Sequence, residues 1–586
     1  MSGLDYAVIG FYLLFMLGIG WAFRPFNSDS SDYFRGGGAM QWWMTGASTF
    51  MVTFSAWTFT GAAGEIYKTG TLVLALYFSN AIANLVVLAF TAKRFRRMRA
   101  VTYTEAVGDR FGPTNERVFL LVQLPVFVIV GAIWLNAIGV FMAAAFGSDI
   151  RLTMAVLGVI VLVMSTSGGA WAVVASDFVQ MLIVATITVV VAVLVLRLPE
   201  VGGVSGLVAK VPAEHFDWQA LLRPQVIGVY VAGMIIGQCV QHNDIANGGS
   251  RYLTVKNGRH ARLAVLIPLT GMVAFPLIWL VPPMAAAIDL DLATMLPGLS
   301  KNPGEGAYVA MAMRVLPAGL LGLFVCGIFA ATMSSMDSGL NKAAGVFVRS
   351  FYLPTLRPNA TESHLLRVGR VFTVVLGVLM ISLALVISQV RTVGLFDLVI
   401  SFASVVSLPI AVPMLWGLFV GRTPSWTAWS TALVGFLVAL TVRYLVPLDA
   451  VSGLLGLAEP LNPVERGDLL YGTTVLCVFV AGTVWFFATR FTGVAPTEVE
   501  RAERFLTKTR TPLTAEEQGV GIDSVQFKVM GVLCLVYGGF VMLLAVAPQA
   551  PAQRLACLFC GGFVVLVGLL LTRASARAPR HTVAAS

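Results

Sequence analysis

The chain has 586 residues, of which 58% are hydrophobic and only 12% charged, with a mean hydropathy of +0.84. Soluble globular chains carry about twice that share of charged residues, so the composition excludes a water-facing protein and defines a polytopic membrane protein. The net charge of +10 sits in short loops between apolar runs, which is a topology signal rather than a nucleic-acid footprint.

Runs of about 20 apolar residues are the unit of a membrane helix. Fifteen are read from the sequence, at 4–23, 42–67, 71–92, 117–146, 152–168, 171–196, 225–247, 263–288, 315–341, 371–390, 395–420, 425–446, 468–490, 527–547 and 555–572. The first starts without a basic segment, so it is expected to stay as a helix rather than be cleaved as a signal peptide. An odd count puts the termini on opposite sides. With the N-terminus outside, Arg35, the cluster Lys93–Arg99, the run Arg251–Arg262 and the tail after Arg573 all fall on the cytoplasmic side, which then holds most of the Lys and Arg residues.

The second and seventh runs depart from plain membrane helices. The second is rich in Gly, Ser and Thr, with Gly46, Gly61 and Gly64 able to leave helical geometry at low cost. The seventh carries Gln238, Gln241, His242, Asn243 and Asp244, then Gly248 and Gly249. Both are expected to be broken helices. Each opens a block of five runs, 41–196 and 225–420, and five is odd, so the blocks have opposite orientations. Inverted repeats with an interrupted helix in matching positions point to a secondary transporter with its site near the midplane. The expected organisation is an extra helix within 1–30, the two repeats, and four peripheral helices in 425–586 with a loop at 492–528.

The ninth run ends in GIFAATMSSMDSGLN, Gly327–Asn341, where Ala331, Ser334, Ser335 and Ser338 share one helix face, with Thr332, Asp337 and Asn341 beside it. A carboxylate at the centre of a membrane helix costs about 2.5 to 3.5 kcal/mol on insertion scales, so Asp337 reads as an ion or proton site. The outer loops, 198–225 and 289–314, are expected to cover the site, the second through Pro303, Gly304 and Gly306. The charged run Glu498–Arg510 reads as a solvated amphipathic helix. The six cysteines lie in or beside apolar runs as packing residues, and Cys557 and Cys560, without a second pair or a nearby His, do not form a metal site. No nucleophile and base arrangement or phosphate loop marks an enzyme, and with a short tail after the last run no attached signalling domain is expected.

Four motifs, YFRGGG at Tyr33–Gly38, GASTFMVTFSAWTFTGAAG at Gly46–Gly64, RYLTVKNGRHAR at Arg251–Arg262 and AATMSSMDSGLN at Ala330–Asn341, together resemble the sodium/solute symporter family. The resemblance runs from Tyr6 to about Arg490 and implies an all-α fold with a 5+5 inverted-repeat core, like that of bacterial leucine transporters. It implies a sodium site made by the carbonyls of Met51 and Phe54, the carbonyl of Ala331 and the hydroxyls of Ser334 and Ser335. A hard cation accepts such neutral oxygens, and an interrupted helix aims the negative end of a dipole at it. A second ion site occurs in some members. Here it would use Asp177, Asp337 and Ser338, although Asp177 also reads as a residue that caps or pairs near its helix end, so the count of one or two sodium ions stays open.

Positions matching the family's substrate pocket are Thr53, Trp57, Thr58, Tyr77, Asn80, Gln238, Gln241 and His242. Sugar-transporting members carry an acidic and amide pair where this chain has Trp57 and Thr58, which argues against a galactose-like ligand. The set supplies neutral hydrogen-bonding groups with aromatic walls and no cation placed to clamp an anion. His242 also reads as a satisfied core histidine, and Glu65 and Lys68 as a pair with each other.

The expectation is a sodium-coupled importer of a small polar organic solute in a bacterial inner membrane. It would use sodium as the coupling ion and need no cofactor, nucleic acid or obligate protein partner. A proton-coupled transporter on the same fold, using Asp177 or Asp337, and a membrane solute sensor are the other two classes the sequence admits.

Overall fold

The computed structural model describes residues 1–23, 30–53, 55–296, 302–390, 394–457, 460–518, 523–547 and 550–577. About 84% of the chain is helical, and no strand occurs among the described residues apart from an isolated Met40–Val255 bridge. In chain order the helices used below are α1 (Gly3–Ala22), α2 (Trp42–Thr53), α3 (Gly61–Thr69), α4 (Leu74–Val86), α5 (Ala92–Arg97), α6 (Tyr103–Phe111), α7 (Pro113–Phe146) and α8 (Ile150–Leu196). They continue as α9 (Pro224–His242), α10 (Gly258–Trp279), α11 (Leu320–Phe347), α12 (Glu362–Val390), α13 (Leu395–Phe402), α14 (Leu408–Gly417), α15 (Thr427–Tyr444), α16 (Pro463–Ala488), α17 (Pro496–Arg510), α18 (Asp523–Leu543) and α19 (Pro551–Arg577).

Thirteen helices among the described residues are long and apolar enough to cross a membrane. The expected count of fifteen is not confirmed. The second expected run is broken into α2, a short turn Ala56–Phe59 and α3, and the fifth survives only as the short apolar helix Ile150–Thr166. Gly169, at φ +61° and ψ −173°, divides α8 between the fifth and sixth expected runs, a conformation that favours glycine.

At the centre stands α11, in which every residue from Leu320 to Asp337 is buried. A helix built of Leu, Phe, Ala and Gly on all sides has no face to offer water and is enclosed by its neighbours. It packs on α1, α2, α7, α8 and α12. Its start is fixed by Asp5 of α1, whose Oδ1 accepts from the backbone N–H groups of Gly319 at 2.7 Å and Gly322 at 2.8 Å. A carboxylate at a helix N-terminus satisfies donors the helix cannot, and it sits at the positive end of the dipole. Gly322 is required there, because a Cβ would meet the Asp5 carbonyl oxygen at 2.6 Å.

The arginine-rich face, which carries the Lys93–Arg99 cluster, is stapled to two of the sequence motifs, Tyr33–Gly38 and Arg251–Arg262. Met40 donates to the Thr254 carbonyl at 3.0 Å, and Arg96 donates through Nε to the Val255 carbonyl and through a terminal nitrogen to the Gly38 carbonyl at 3.5 Å. Gly38, at φ +67°, lets the chain pass Arg96, whose guanidinium would lie 2.9 Å from a Cβ at that position.

The run expected as a solvated amphipathic helix is α17, and it is amphipathic, with Ala502, Phe505, Leu506 and Thr509 buried at helical spacing. It is more than a solvated surface helix, since that face docks on α5 and α6. Arg99 ties the segment after it through Glu517 Oε1 at 2.6 Å and Oε2 at 3.0 Å and the carbonyls of Lys508 at 2.8 Å and Pro512 at 3.0 Å.

Candidate functional site

The break in the second run is local and legible in its backbone. α2 ends at Thr53, Ser55 is extended at φ −151° and ψ −169° and caps the next turn by accepting from Trp57 N, and Thr60 leaves helical geometry at φ −123° and ψ −79°. Backbone groups freed this way must find partners elsewhere. Ala56 N–H does so on α11, donating to Thr332 Oγ1 at 2.9 Å.

Around that contact lie the residues expected to bind sodium. Met51, Ala331, Ser334 and Ser335 are all fully or almost fully buried, while Phe54 lies outside the described residues. Ser335 Oγ donates back to the Ala331 carbonyl at 3.3 Å, a long bond of the type membrane serines make within their own helix. Ser334 Oγ is buried and makes no well-formed hydrogen bond, although it interacts with the Asp177 side chain. A buried hydroxyl left without a well-formed hydrogen bond costs about 1 to 3 kcal/mol, so it marks a place where a ligand would be welcome.

Asp177 and Asp337 are both buried in this region and interact electrostatically. Ser48 of α2 donates to Asp177 Oδ2 at 2.5 Å, and the Asp177 side chain also interacts with Ser334, while its Oδ1 makes no well-formed hydrogen bond. Ser165 donates to Asp337 Oδ1 from the first part of α8. The two carboxylates therefore take hydroxyls from different helices, and Asp337 faces a small cavity against Met16, Ser165 and Gly169. Ser338 lies on the other side, on the wall of the large cavity.

That cavity, of about 460 Å³, is lined by Thr53, Trp57, Tyr77, Asn80, Gln238, Gln241 and His242, with Ser335 and Ser338. Seven of the eight residues expected to meet substrate thus share one space. Thr58 is the exception: it is buried behind the wall, and neither its hydroxyl nor that of Tyr77, with which it interacts, has a well-formed hydrogen bond. His242 Nδ1 bonds the Gln238 carbonyl at 3.0 Å within its own helix while its ring lines the cavity, so it is both a satisfied histidine and a wall residue. The seventh run breaks just after it, at Asn243–Asn247, where Asp244 accepts from Asn247 N at 2.5 Å and Nδ2 at 2.9 Å before a short helix Gly248–Tyr252.

The two ends of the cavity differ. One end is sealed by Trp57, which stacks on Phe396 at 5.6 Å and donates Nε1–H to the Leu395 carbonyl at 3.1 Å. Behind it Phe59 meets Tyr308 edge to face at 4.9 Å, and the Pro303–Gly306 turn of the expected covering loop seats against Gly64. The other end reaches Phe34, Thr102, Tyr103 and Arg251–Thr254, beside the arginine-rich face. Two cations the sequence reading did not place, Lys342 and Arg251, line this end. Lys342 follows Asn341 by one residue, and its helical position one turn beyond Ser338 was the available signal.

Among the described residues no cluster of His, Cys, Asp and Glu could hold a transition metal or divalent ion. The oxygens available, hydroxyl and carbonyl with one or two carboxylates, are those of a hard monovalent cation.

Comparison with known proteins agrees with this architecture. Residues 33–435 match the family model of the sodium:solute symporter family. The chain is 27% identical over 478 residues to the human sodium/myo-inositol cotransporter 2, covering 74% of this chain and 69% of that one. It is 22% identical over 448 residues to the sodium/sialic acid symporter of Proteus mirabilis, covering 75% and 90%. Its fold is similar to that of a substrate-bound, outward-open Na+-coupled sialic acid symporter, with a TM-score of 0.65 at 20% identity over 83% of this chain and 98% of that one. With a match spanning most of its length and the broken helix, buried serines and polar-lined cavity in place, the chain belongs to the sodium:solute symporter family.

Proposed function

We propose that this protein is a sodium-coupled importer of a small polar organic solute, working by alternating access in a bacterial inner membrane. The N-terminus lies outside and the arginine-rich face in the cytoplasm. The repeats 41–196 and 225–420 move against each other around the cavity. The observation that carries the reading is the Ala56–Thr332 hydrogen bond, which joins the unwound second helix to α11 two residues before the buried Ser334, whose hydroxyl makes no well-formed hydrogen bond.

Sodium binds between the carbonyls of Met51, Phe54 and Ala331 and the hydroxyls of Ser334 and Ser335. It joins α2 to α11 and favours the outward-open state. Solute enters and takes hydrogen bonds from Thr53, Asn80, Gln238, Gln241 and His242 against Trp57 and Tyr77, with Thr58 supporting Tyr77 from behind. The Trp57–Phe396 end then closes. Loss of sodium to the cytoplasm frees the α2–α11 contact and releases both through the end that reaches Arg251. Coupling follows because sodium binds the substrate-competent state more tightly than the other; equal affinity would shift nothing. The closed Trp57 end and the reach toward the arginine-rich face support an inward-facing conformation.

Of the expected second-ion residues Asp177, Asp337 and Ser338, the two buried carboxylates are the ones that would hold an ion, supported by the Asp177 Oδ1 that makes no well-formed hydrogen bond, whereas Ser338 lines the solute cavity instead. The same carboxylates favour a second reading, proton coupling, because each is buried with a hydroxyl donor rather than an ion-pair partner. Solute uptake into proteoliposomes separates the two. A sodium gradient at equal pH drives uptake in the sodium account, and a pH gradient in sodium-free buffer drives it in the proton account.

A further inference from the structure

A second cavity, of about 630 Å³, lies away from the transport pathway, where the arginine-rich ends of α5 and α10 meet the segment that follows α17. Lys93, Arg97, Arg259 and Arg262 line it, and its lining contains no carboxylate. Arg97 and Arg262 are oriented from behind, Arg97 donating to the Arg510 carbonyl at 2.7 Å and Arg262 to the Leu88 carbonyl at 3.1 Å, which leaves their other N–H groups free to face a ligand. The side chains of Lys93 and Arg259 are exposed and have no hydrogen bond or ion pair among the described residues. Four cations gathered with no carboxylate in the lining repel one another, and an anion between them relieves that repulsion.

The rest of the wall says which anion. Leu263 and Leu266 continue the lining along α10, and the same helix goes on to Val273 and Leu277, exposed at 47% and 51%, on a face with no protein cover. A soluble anion has no use for this apolar track, whereas acyl chains fit along it while the phosphate sits among the cations at the level where long basic side chains reach the interface. The floor is built rather than incidental: Asn257 Nδ2 donates to Gln518 Oε1 at 3.0 Å, and Arg99 holds Glu517 beside it.

We propose that this cavity binds the headgroup of an anionic phospholipid, its phosphate held by Lys93, Arg97, Arg259 and Arg262 and its chains lying along α10. The lipid would bridge α5, α10 and the segment after α17. This site is independent of the sodium and solute sites, and its test does not depend on transport.

The test is native mass spectrometry of the purified full chain stripped of lipid and titrated with phosphatidylglycerol, phosphatidylcholine or glycerol 1-phosphate. Wild type is expected to retain phosphatidylglycerol over phosphatidylcholine by roughly tenfold. The variant K93Q/R259Q should lose that preference, whereas the charge-preserving K93R/R259K should keep it, which separates charge from packing. R357Q/R504Q, which removes two exposed cations elsewhere, should match wild type. Equal retention of the two lipids by wild type, equal loss in R357Q/R504Q, or loss in K93R/R259K would each overturn the proposal. Glycerol 1-phosphate binding as tightly as phosphatidylglycerol would make the site one for a soluble anion and overturn it as well.

Discussion

The backbone N–H of Ala56 donates to Thr332 Oγ1 at 2.9 Å, across 276 residues of sequence, and so ties the broken second helix to the buried centre of the molecule. Thr332→Val keeps the shape and removes the acceptor, leaving a buried N–H unpaired. The expected cost is about 1 to 3 kcal/mol, read as a lower unfolding midpoint, together with weaker sodium activation of uptake. Thr332→Ser restores both. A Thr332→Val protein with wild-type stability and sodium activation would show that the contact does not hold the two helices together.

Asp5 tests packing without touching the pocket. Asp5→Ala removes the acceptor for both Gly319 and Gly322 N–H groups at the start of α11. A loss of about 1 to 3 kcal/mol in stability is expected, with the sodium concentration for half-activation unchanged. A shifted sodium response would mean that the cap also sets the ion site.

Trp57 closes one end of the cavity by two separable contacts, a stack on Phe396 and an Nε1–H bond to the Leu395 carbonyl. Trp57→Phe keeps the stack and loses one hydrogen bond, worth about 0.5 to 1.5 kcal/mol, so most uptake is expected to remain. Trp57→Ala loses both and should lower uptake roughly tenfold or more. Equal uptake by the two variants would remove Trp57 from the closure.

The Arg99–Glu517 pair predicts a pH dependence on the arginine-rich face. Hydrogen bonding to Arg99 holds the Glu517 carboxyl down to about 2, below its ordinary 4.5. A depressed carboxyl stabilises the docked segment above its unfolded value and loses that contribution as pH falls through its folded value. Intrinsic-rate-corrected amide exchange of residues 508–518 should therefore be protected near pH 6 and lose protection between about 4.5 and about 2. Glu517→Gln should be less protected at pH 6 and flat with pH. Because the pair lies at the surface, with Glu517 partly exposed to solvent, the effect should be confined to this segment and not move the global unfolding midpoint.

Much of this was legible in the residues. The clustering of Gly, Ser and Thr around Phe50–Gly64 gave the broken helix, because the sequence there offers cheap departures from helical geometry. The stripe at Ala331, Ser334 and Ser335 gave the buried polar face of α11. Span counting was less exact, since a helix that unwinds or bends, as at Ser55 and Gly169, is not separated from its neighbours by any polar loop. What hydropathy could not give is long-range pairing. Nothing local to Asp5 announces that it caps a helix 314 residues away, and nothing in Lys342 or Arg251 tells that they line the cavity. Thr58 was assigned to the pocket by its place in the motif, yet one residue of helical rotation from Trp57 turns it away from the space.

The most direct measurement is the thermal unfolding of the wild-type protein and of Ser334→Ala with sodium replaced by potassium at constant ionic strength. A ligand that binds only the folded state stabilises it by about 2.7 kcal/mol at a hundred times its dissociation constant. The wild type should therefore gain stability with sodium in a saturable way and not with potassium, and Ser334→Ala should need at least about tenfold more sodium for the same gain. Equal stabilisation by potassium, or an unchanged sodium response in Ser334→Ala, would contradict a sodium site between the broken helix and α11.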